Sequence, residues 1–251
     1  PLKDGLEVEP YYERALAIQS TLLLNLPNVR TLRWIGPNGV ETTLSQSQQG
    51  NSFTLSRGGE VEEYLVWRGR YEHEGWRPEG KPRSTHLMLA FPQSYHNQIP
   101  EQNLFSFLPI QENSGLRFLV GSHFDVPVDR ERLDQTSAWN RGILESVPLL
   151  IVKYCQEHPA QVLGLLKRLP LPDDPLAPLF KRIGESLVEG LRRLSFVPGD
   201  EAWKKPSAAR ILEEDLVPLF SPEEMTGYLE PEDSRTAEWL KILGARSYDL
   251  K

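Results

Sequence analysis

The spacing of apolar residues changes once along this chain, near Trp139, and that change limits the folds open to it. Before it, short runs alternate apolar and polar residues with the two-residue period of a half-buried strand. After it, apolar residues recur three and four positions apart, as on one face of a helix. Strands gathered in one stretch and helices in the next describe an α+β protein, because a parallel α/β sheet needs strand and helix to alternate. The expected architecture is a mixed sheet with packed helices followed by a mainly helical extension, cut near residue 158 into segments 1–158 and 159–251.

Within the first segment, residues 29–35 (VRTLRWI) alternate, Pro37, Asn38 and Gly39 supply a tight turn, and residues 40–44 return. Runs 52–56 and 61–70 are joined through Arg57, Gly58 and Gly59, and further strands are expected at 85–91, 104–110 and 117–126. Residues 72–83 and 92–102, rich in Gly, Pro and polar side chains, read as loops. A helix is expected ahead of the sheet at 10–26, with Leu16, Leu22, Leu23 and Leu26 near helical spacing and Pro27 as its stop.

After Trp139, residues Ile143, Leu144, Val147, Ile151 and Tyr154 form a helical stripe that Pro148 should bend by removing a backbone donor. Leu176, Phe180, Ile183, Leu187 and Leu191 mark a stronger amphipathic helix within 176–194. Short strands are expected at 195–198 and 203–206, and helices at 208–216, 222–229 and 234–243. Ser221 suits the start of one of these helices and Gly244 the end of another.

Charge and composition narrow the function. Lys and Arg total 28 against 35 for Asp and Glu, a net charge of −7, which opposes a general phosphate-binding surface and disfavours nucleic acid as a partner. No apolar run approaches the roughly 20 residues that span a bilayer. The single cysteine, Cys155, cannot form an internal disulfide, which fits a reducing, cytoplasmic setting. The chain starts at Pro1, so it is expected to be a piece excised from a longer polypeptide.

Most standard chemistries lack their residues. Neither G-x-x-x-x-G-K-[ST] nor a G-x-G-x-x-G between strand and helix occurs, and G-x-S-x-G is missing. The five histidines have no metal-binding spacing, so no metal site is expected. His123 and Asp125, at i and i+2, are read as a structural pair. Cys155 is read as a packed side chain, and Lys181, Arg182, Arg192 and Arg193, interleaved with Glu185 and Glu189, as a solvated helix face. In the run Trp67-Arg68-Gly69-Arg70-Tyr71, aromatic and basic residues could stack on single-stranded bases, but alternating strand faces account for them equally well. The segment 121–133 stands apart: a strand runs into a proline-stiffened loop that presents Arg130, a fixed charge of the kind offered to phosphate.

Several short motifs carry a resemblance. Phe105, Phe107, Leu108 and Pro109, then Gly115, Leu116 and Phe118, then His123-Phe124, then Arg130-Glu131, then Trp139-Asn140 follow one another as in the segment after the ATPase domain of sacsin-like and plant NO VEIN-like proteins. Phe196-Val197-Pro198 with Trp203, Pro206 and Ser207 resembles their F-V-P-T…W-x-x-P-S element, and Arg235 with Leu240, Leu243 and Gly244 their closing pattern. The 126–133 loop is also similar to one in the middle domain of the ninety-kilodalton heat-shock chaperone, although Asp129 stands where that loop has serine.

The resemblance implies the middle, or transducer, region of a GHKL-type ATPase. It further implies that Arg130, with Arg132 in reserve, is the catalytic arginine, reaching ATP and Mg held by an N-terminal ATPase domain of the same polypeptide. This piece alone would not be catalytic. An alternative expectation is a non-catalytic module that binds a client or partner protein through helix 176–194 and the loop aromatics Trp76 and Tyr95; a nucleic-acid-processing accessory role is a minor third.

Overall fold

A computed structural model describes residues 18–36, 39–73, 83–93, 103–129, 131–199, 201–212, 228–229, 231 and 233–247. The chain forms two compact units. One contains the residues up to Asn113 together with Phe118–Asp134, the other Ser114–Arg117 and the chain from Gln135. The second unit takes up the chain after Asp134, and the helix after Trp139 packs within it.

The first unit is a curled mixed sheet of eight strands among the described residues: β1 (Thr31–Ile35), β2 (Glu41–Gln49), β3 (Ser52–Arg57), β4 (Glu60–His73), β5 (Arg83–Pro92), β6 (Leu104–Ser106), β7 (Leu108–Ile110) and β8 (Leu119–Gly121). Their order is β1-β2-β3-β4-β5-β8-β6-β7, and β1 to β5 form an antiparallel meander. β8 runs antiparallel to β5 and parallel to β6, which makes the sheet mixed.

The expected turns hold the meander in register. Gly58 and Gly59 sit at φ 57° and 96°, the two left-handed positions of a two-residue hairpin, and Arg57 pairs with Glu60 across them. At the first hairpin Gly39 lies at φ 76° and Ile35 pairs with Glu41; Pro37 and Asn38 lie outside the described residues.

Two expected strands are shorter than their apolar pattern suggests. The run 104–110 breaks at Phe107, whose φ of 61° turns the chain back so that β6 and β7 pair with each other. The run 117–126 is a strand only at Leu119–Gly121, and beyond it the chain leaves the sheet. The helix expected at 10–26 is, in its described part, a 3-10 turn at Ser20–Asn25; residues 10–17 lie outside the described residues. That turn inserts Leu23 and Leu24 into a core with Leu44, Phe53, Val66 and Phe105, and it touches β2, β3 and β7. Burial of its apolar side, and Gln46 Nε2 donating to the Val29 carbonyl, hold the segment where helix propensity would not decide the matter.

The second unit is mainly helical. Helix α1 (Ala138–Glu157) is capped by the Ser137 hydroxyl and runs continuously through Pro148; it packs against α3 (Lys181–Leu191). Between them lies the short α2 (Val162–Leu166). Helix α4 (Ser234–Ile242) starts at Asp233, whose carboxylate accepts from Thr236 N–H at 2.8 Å. It ends at Gly244 (φ 104°): Gly244 N–H donates to the Lys241 carbonyl and Ala245 N–H to that of Leu240, the paired bonds of a left-handed helix end.

The expected short strands at 195–198 and 203–206 meet through one antiparallel bridge, Val197 to Lys204. Of the helix expected at 208–216, residues 213–216 lie outside the described residues, and the described part is the end of a 3-10 turn (Pro206–Ala208) followed by extended chain. Arg210–Ile211 is strand β9, flanked in parallel by β10 (Tyr228–Leu229) and β11 (Arg246–Ser247). The expected helix at 222–229 is strand at its last two residues, and the rest of it, Ser221 included, lies outside the described residues. Among the described residues no helix is long and apolar enough to cross a membrane.

Candidate functional site

Two features of the sheet unit are candidates for a functional role: the loop after β8 and a cavity near the start of that loop. The loop is closed at its base by Asp134 N–H donating to the Asp125 carbonyl at 3.2 Å. Asp125 is held in turn by a two-point ion pair with Arg83 of β5, one contact of which, Nη1 to Oδ2, spans 3.2 Å. On the far side Leu133 N–H donates to Glu112 Oε2 at 2.7 Å, and Leu133 itself is buried. Between these anchors Glu131 N–H donates to the Asp129 carboxylate, and Pro127, Val128, Asp129, Glu131 and Arg132 are exposed. Val128 is 104% exposed, so its apolar side chain contributes nothing to the core. Arg132 is thus placed on an exposed loop tip, while Arg130 lies outside the described residues.

His123 and Asp125 do not pair as expected, because the strand ends at Gly121 and the two side chains find different partners. Asp125 holds Arg83, whereas the His123 ring stacks on Phe107 at 4.3 Å between centroids and 25° between planes. Partial burial, followed by the nearby His86 and Arg83, lowers the His123 pKa below the ordinary histidine value. Phe107 holds this stack from a left-handed backbone that an L-residue adopts only at a cost of about 1 kcal/mol or more.

Beside the stack lies a cavity of about 350 Å³. Its walls are mostly apolar, with Leu24, Pro27, Met88 and Phe107, and its polar side chains include Arg68, His86 and His123. The strand register explains the convergence. Arg68 faces Met88 across β4 and β5, Met88 faces Gly121 across β5 and β8, and His86 lies two residues along β5 on the same face. Trp67, pointing the other way, is buried and packs on Phe91 at 4.4 Å.

The Arg68 guanidinium donates to the Leu24 carbonyl at 3.3 Å and lies 5.4 Å from the Phe53 ring centre, a cation–π distance. Partial burial lowers its pKa from the usual arginine value. Asn25 closes the cavity floor over Gly121, where a Cβ would come within 2.1 Å of Asn25 Oδ1. Ser122 offers no nucleophile, since its hydroxyl donates to the His86 carbonyl at 3.0 Å and contacts Thr85 Oγ1 at 3.3 Å.

The remaining sequence candidates resolve into structural roles. Cys155 is buried, and burial pushes its thiol up to about 12. Ile183, Leu187 and Leu191, the apolar face of α3, are spent on packing within the helical unit. The basic side of that helix is solvated, with Arg193 and Glu189 paired at 2.6 Å. Trp76 and Tyr95 lie outside the described residues.

The fold and these two features define an α+β protein with a curled mixed sheet, an anchored arginine-bearing loop and an adjoining cavity. No protein-family model, curated protein or solved structure matches the chain.

Proposed function

We propose that this chain is the middle, or transducer, region of a GHKL-type, sacsin-like ATPase, and that its 126–133 loop presents an arginine to ATP and magnesium held by the preceding ATPase domain. The observation that carries the reading is the loop's construction. Both ends are tied, by Asp125–Arg83 and by Leu133–Glu112, while the tip projects Val128 and Arg132 away from the unit's own core. An anchored loop base that leaves a cationic side chain outside the core holds it where another surface could meet it, which supports the reading.

In this role the guanidinium supplies no covalent chemistry. It stabilises charge developing on the transferred phosphoryl group, and its fixed position avoids reorganisation at the moment of transfer. Arg130 is the first candidate and Arg132 the second.

The test is ATP turnover by the full parent polypeptide, wild type against Arg130→Ala and Arg132→Ala, with nucleotide affinity measured alongside. Loss of the acting arginine is expected to lower kcat by about 10³-fold while affinity is kept. Turnover within about twofold of wild type in both variants would end the assignment. So would micromolar ATP affinity in the isolated 251-residue chain, which on this reading carries only the trans-acting half of the site.

A further inference from the structure

We infer that the cavity between the Ser20–Asn25 turn, β4, β5 and β8 is a binding site for a small organic anion: a carboxylate carried on an aromatic or branched apolar body. Four observations converge on this ligand class, and none of them involves the loop arginine.

The first is size and lining. A cavity of about 350 Å³, walled chiefly by apolar side chains with a few convergent polar groups, is at the lower end of what small-molecule sites need. The second is charge. In a chain of net charge −7, the lining holds one permanent cation, Arg68, beside two histidines, and no carboxylate. That is the reverse of the chain's average surface.

The third is the unused capacity of Arg68. A guanidinium has five N–H donors, and here one hydrogen bond within the protein is made, to the Leu24 carbonyl; among the described residues no carboxylate pairs with it, and the residue is exposed, so its remaining donors are open to solvent or to a ligand. Its planar fork, fixed over Phe53, suits a carboxylate better than a single-point anion. The fourth is Phe107. Among the described residues it is the one non-glycine at positive φ, and that conformation sets its ring against His123 at the cavity wall. Strain kept at a pocket wall, at an aromatic ring left 54% exposed, fits a ligand-facing role.

The Ser122 hydroxyl is committed to the His86 carbonyl, so the proposal is of binding alone. The ligand's apolar body would lie along Met88 and Phe107, and its carboxylate on Arg68.

The experiment titrates the full chain with 2-naphthoate, with 2-naphthalenemethanol as the neutral probe and 2-naphthylmethylamine as the cationic one. Binding is read from the backbone amide shifts of Phe107 and Gly121–His123. Naphthoate is expected to saturate these shifts at least about tenfold more tightly than the alcohol, with the amine weakest. Arg68→Gln should bring naphthoate down to the level of the alcohol and leave the alcohol unchanged.

Equal affinity for naphthoate and alcohol in the wild-type chain would overturn the proposal without any variant. Naphthoate shifts confined to other parts of the chain would do the same. Undiminished naphthoate binding by a folded Arg68→Gln chain would also refute it. None of these readouts depends on ATP turnover, so the site and the arginine-loop reading stand or fall separately.

Discussion

At the scale of single residues, one arginine that the sequence placed in a closing motif ties separate segments of the helical unit together. Arg235 donates from Nη1 to Asp174 Oδ1 at 3.1 Å, makes a second contact to Asp174 Oδ2, and donates to the Leu169 carbonyl from Nε at 3.2 Å and Nη2 at 2.7 Å. Trp239 Nε1 donates to the same carbonyl at 3.3 Å. The two charged side chains are only 12% and 18% exposed, so removing one strands the other in a poorly solvated place. Arg235→Met is therefore expected to cost about 3–5 kcal/mol in urea unfolding. Adding Asp174→Asn should recover part of that loss, because a neutral amide oxygen can still accept from Leu171 N–H, as Asp174 does at 2.9 Å. A cost below about 1 kcal/mol for Arg235→Met would show that the pair is not the tie its burial indicates. Arg68 teaches a related lesson. The sequence marked it as one of a basic and aromatic run, but only the registers of β4, β5 and β8 bring it beside His86 and Met88.

At the scale of elements, two glycines in α3 separate contacts that can give from contacts that cannot. A Cβ on Gly184 would come within 2.9 Å of the Leu171 carbonyl oxygen and 3.0 Å of Pro172 Cα, both backbone atoms. A Cβ on Gly190 would meet Val152 Cγ2 at 2.4 Å, but that is the end of a half-buried side chain on α1. Replacing a mid-helix glycine by alanine otherwise gains about 1 kcal/mol of helix propensity. Gly184→Ala should thus destabilise by about 1–3 kcal/mol, while Gly190→Ala should cost less, because a side chain and not main chain must move, although a β-branched Val152 on a helix has few rotamers to move to. Chemical denaturation of the two variants checks this, and equal effects would mean that the helix moves as a rigid body. The elements legible in the sequence are those whose instructions are local: the Gly58-Gly59 hairpin, the strands β1 to β5, the amphipathic face of α3 and the Gly244 helix end. Those that misled depend on distant partners. Leu22 and Leu23 sit at helical spacing, but they fold in a 3-10 turn that, with Leu24, fills the sheet's core. Nothing near Phe107 announces a positive φ, and residues 210–211 become strand only because 228–229 and 246–247 flank them. Of the arginine loop, its position after a strand was legible, whereas its anchors Arg83 and Glu112 were not, since neither lies within ten residues of the loop tip.

At the scale of the whole molecule, the chain's path makes the two units inseparable by any single cut. Ser114–Arg117 belongs to the helical unit although its neighbours on both sides belong to the sheet. Within that unit Ala177 N–H donates to the Ser114 carbonyl at 3.1 Å, and Ser114 and Leu116 are fully buried. Gly115 sits at φ 80°, and a Cβ there would stand 2.9 Å from the Pro175 carbonyl oxygen. A side chain at this position would add backbone strain to a clash with main chain, a combined cost of about 2–4 kcal/mol. The penalty should fall on the unit that Gly115 packs into, not on the one that surrounds it in sequence. In the full chain, Gly115→Ala is therefore expected to speed amide hydrogen exchange at Leu187 and Leu240, in α3 and α4. The central sheet amides of Leu87 and Leu89 should keep their protection. Loss of protection in the sheet with none in the helices would place Ser114–Arg117 energetically with the sheet. The converse result would explain why residues 159–251 alone should show no cooperative melting: they lack both the α1 face that buries Ile183 and Leu187 and the threaded segment that holds Ala177.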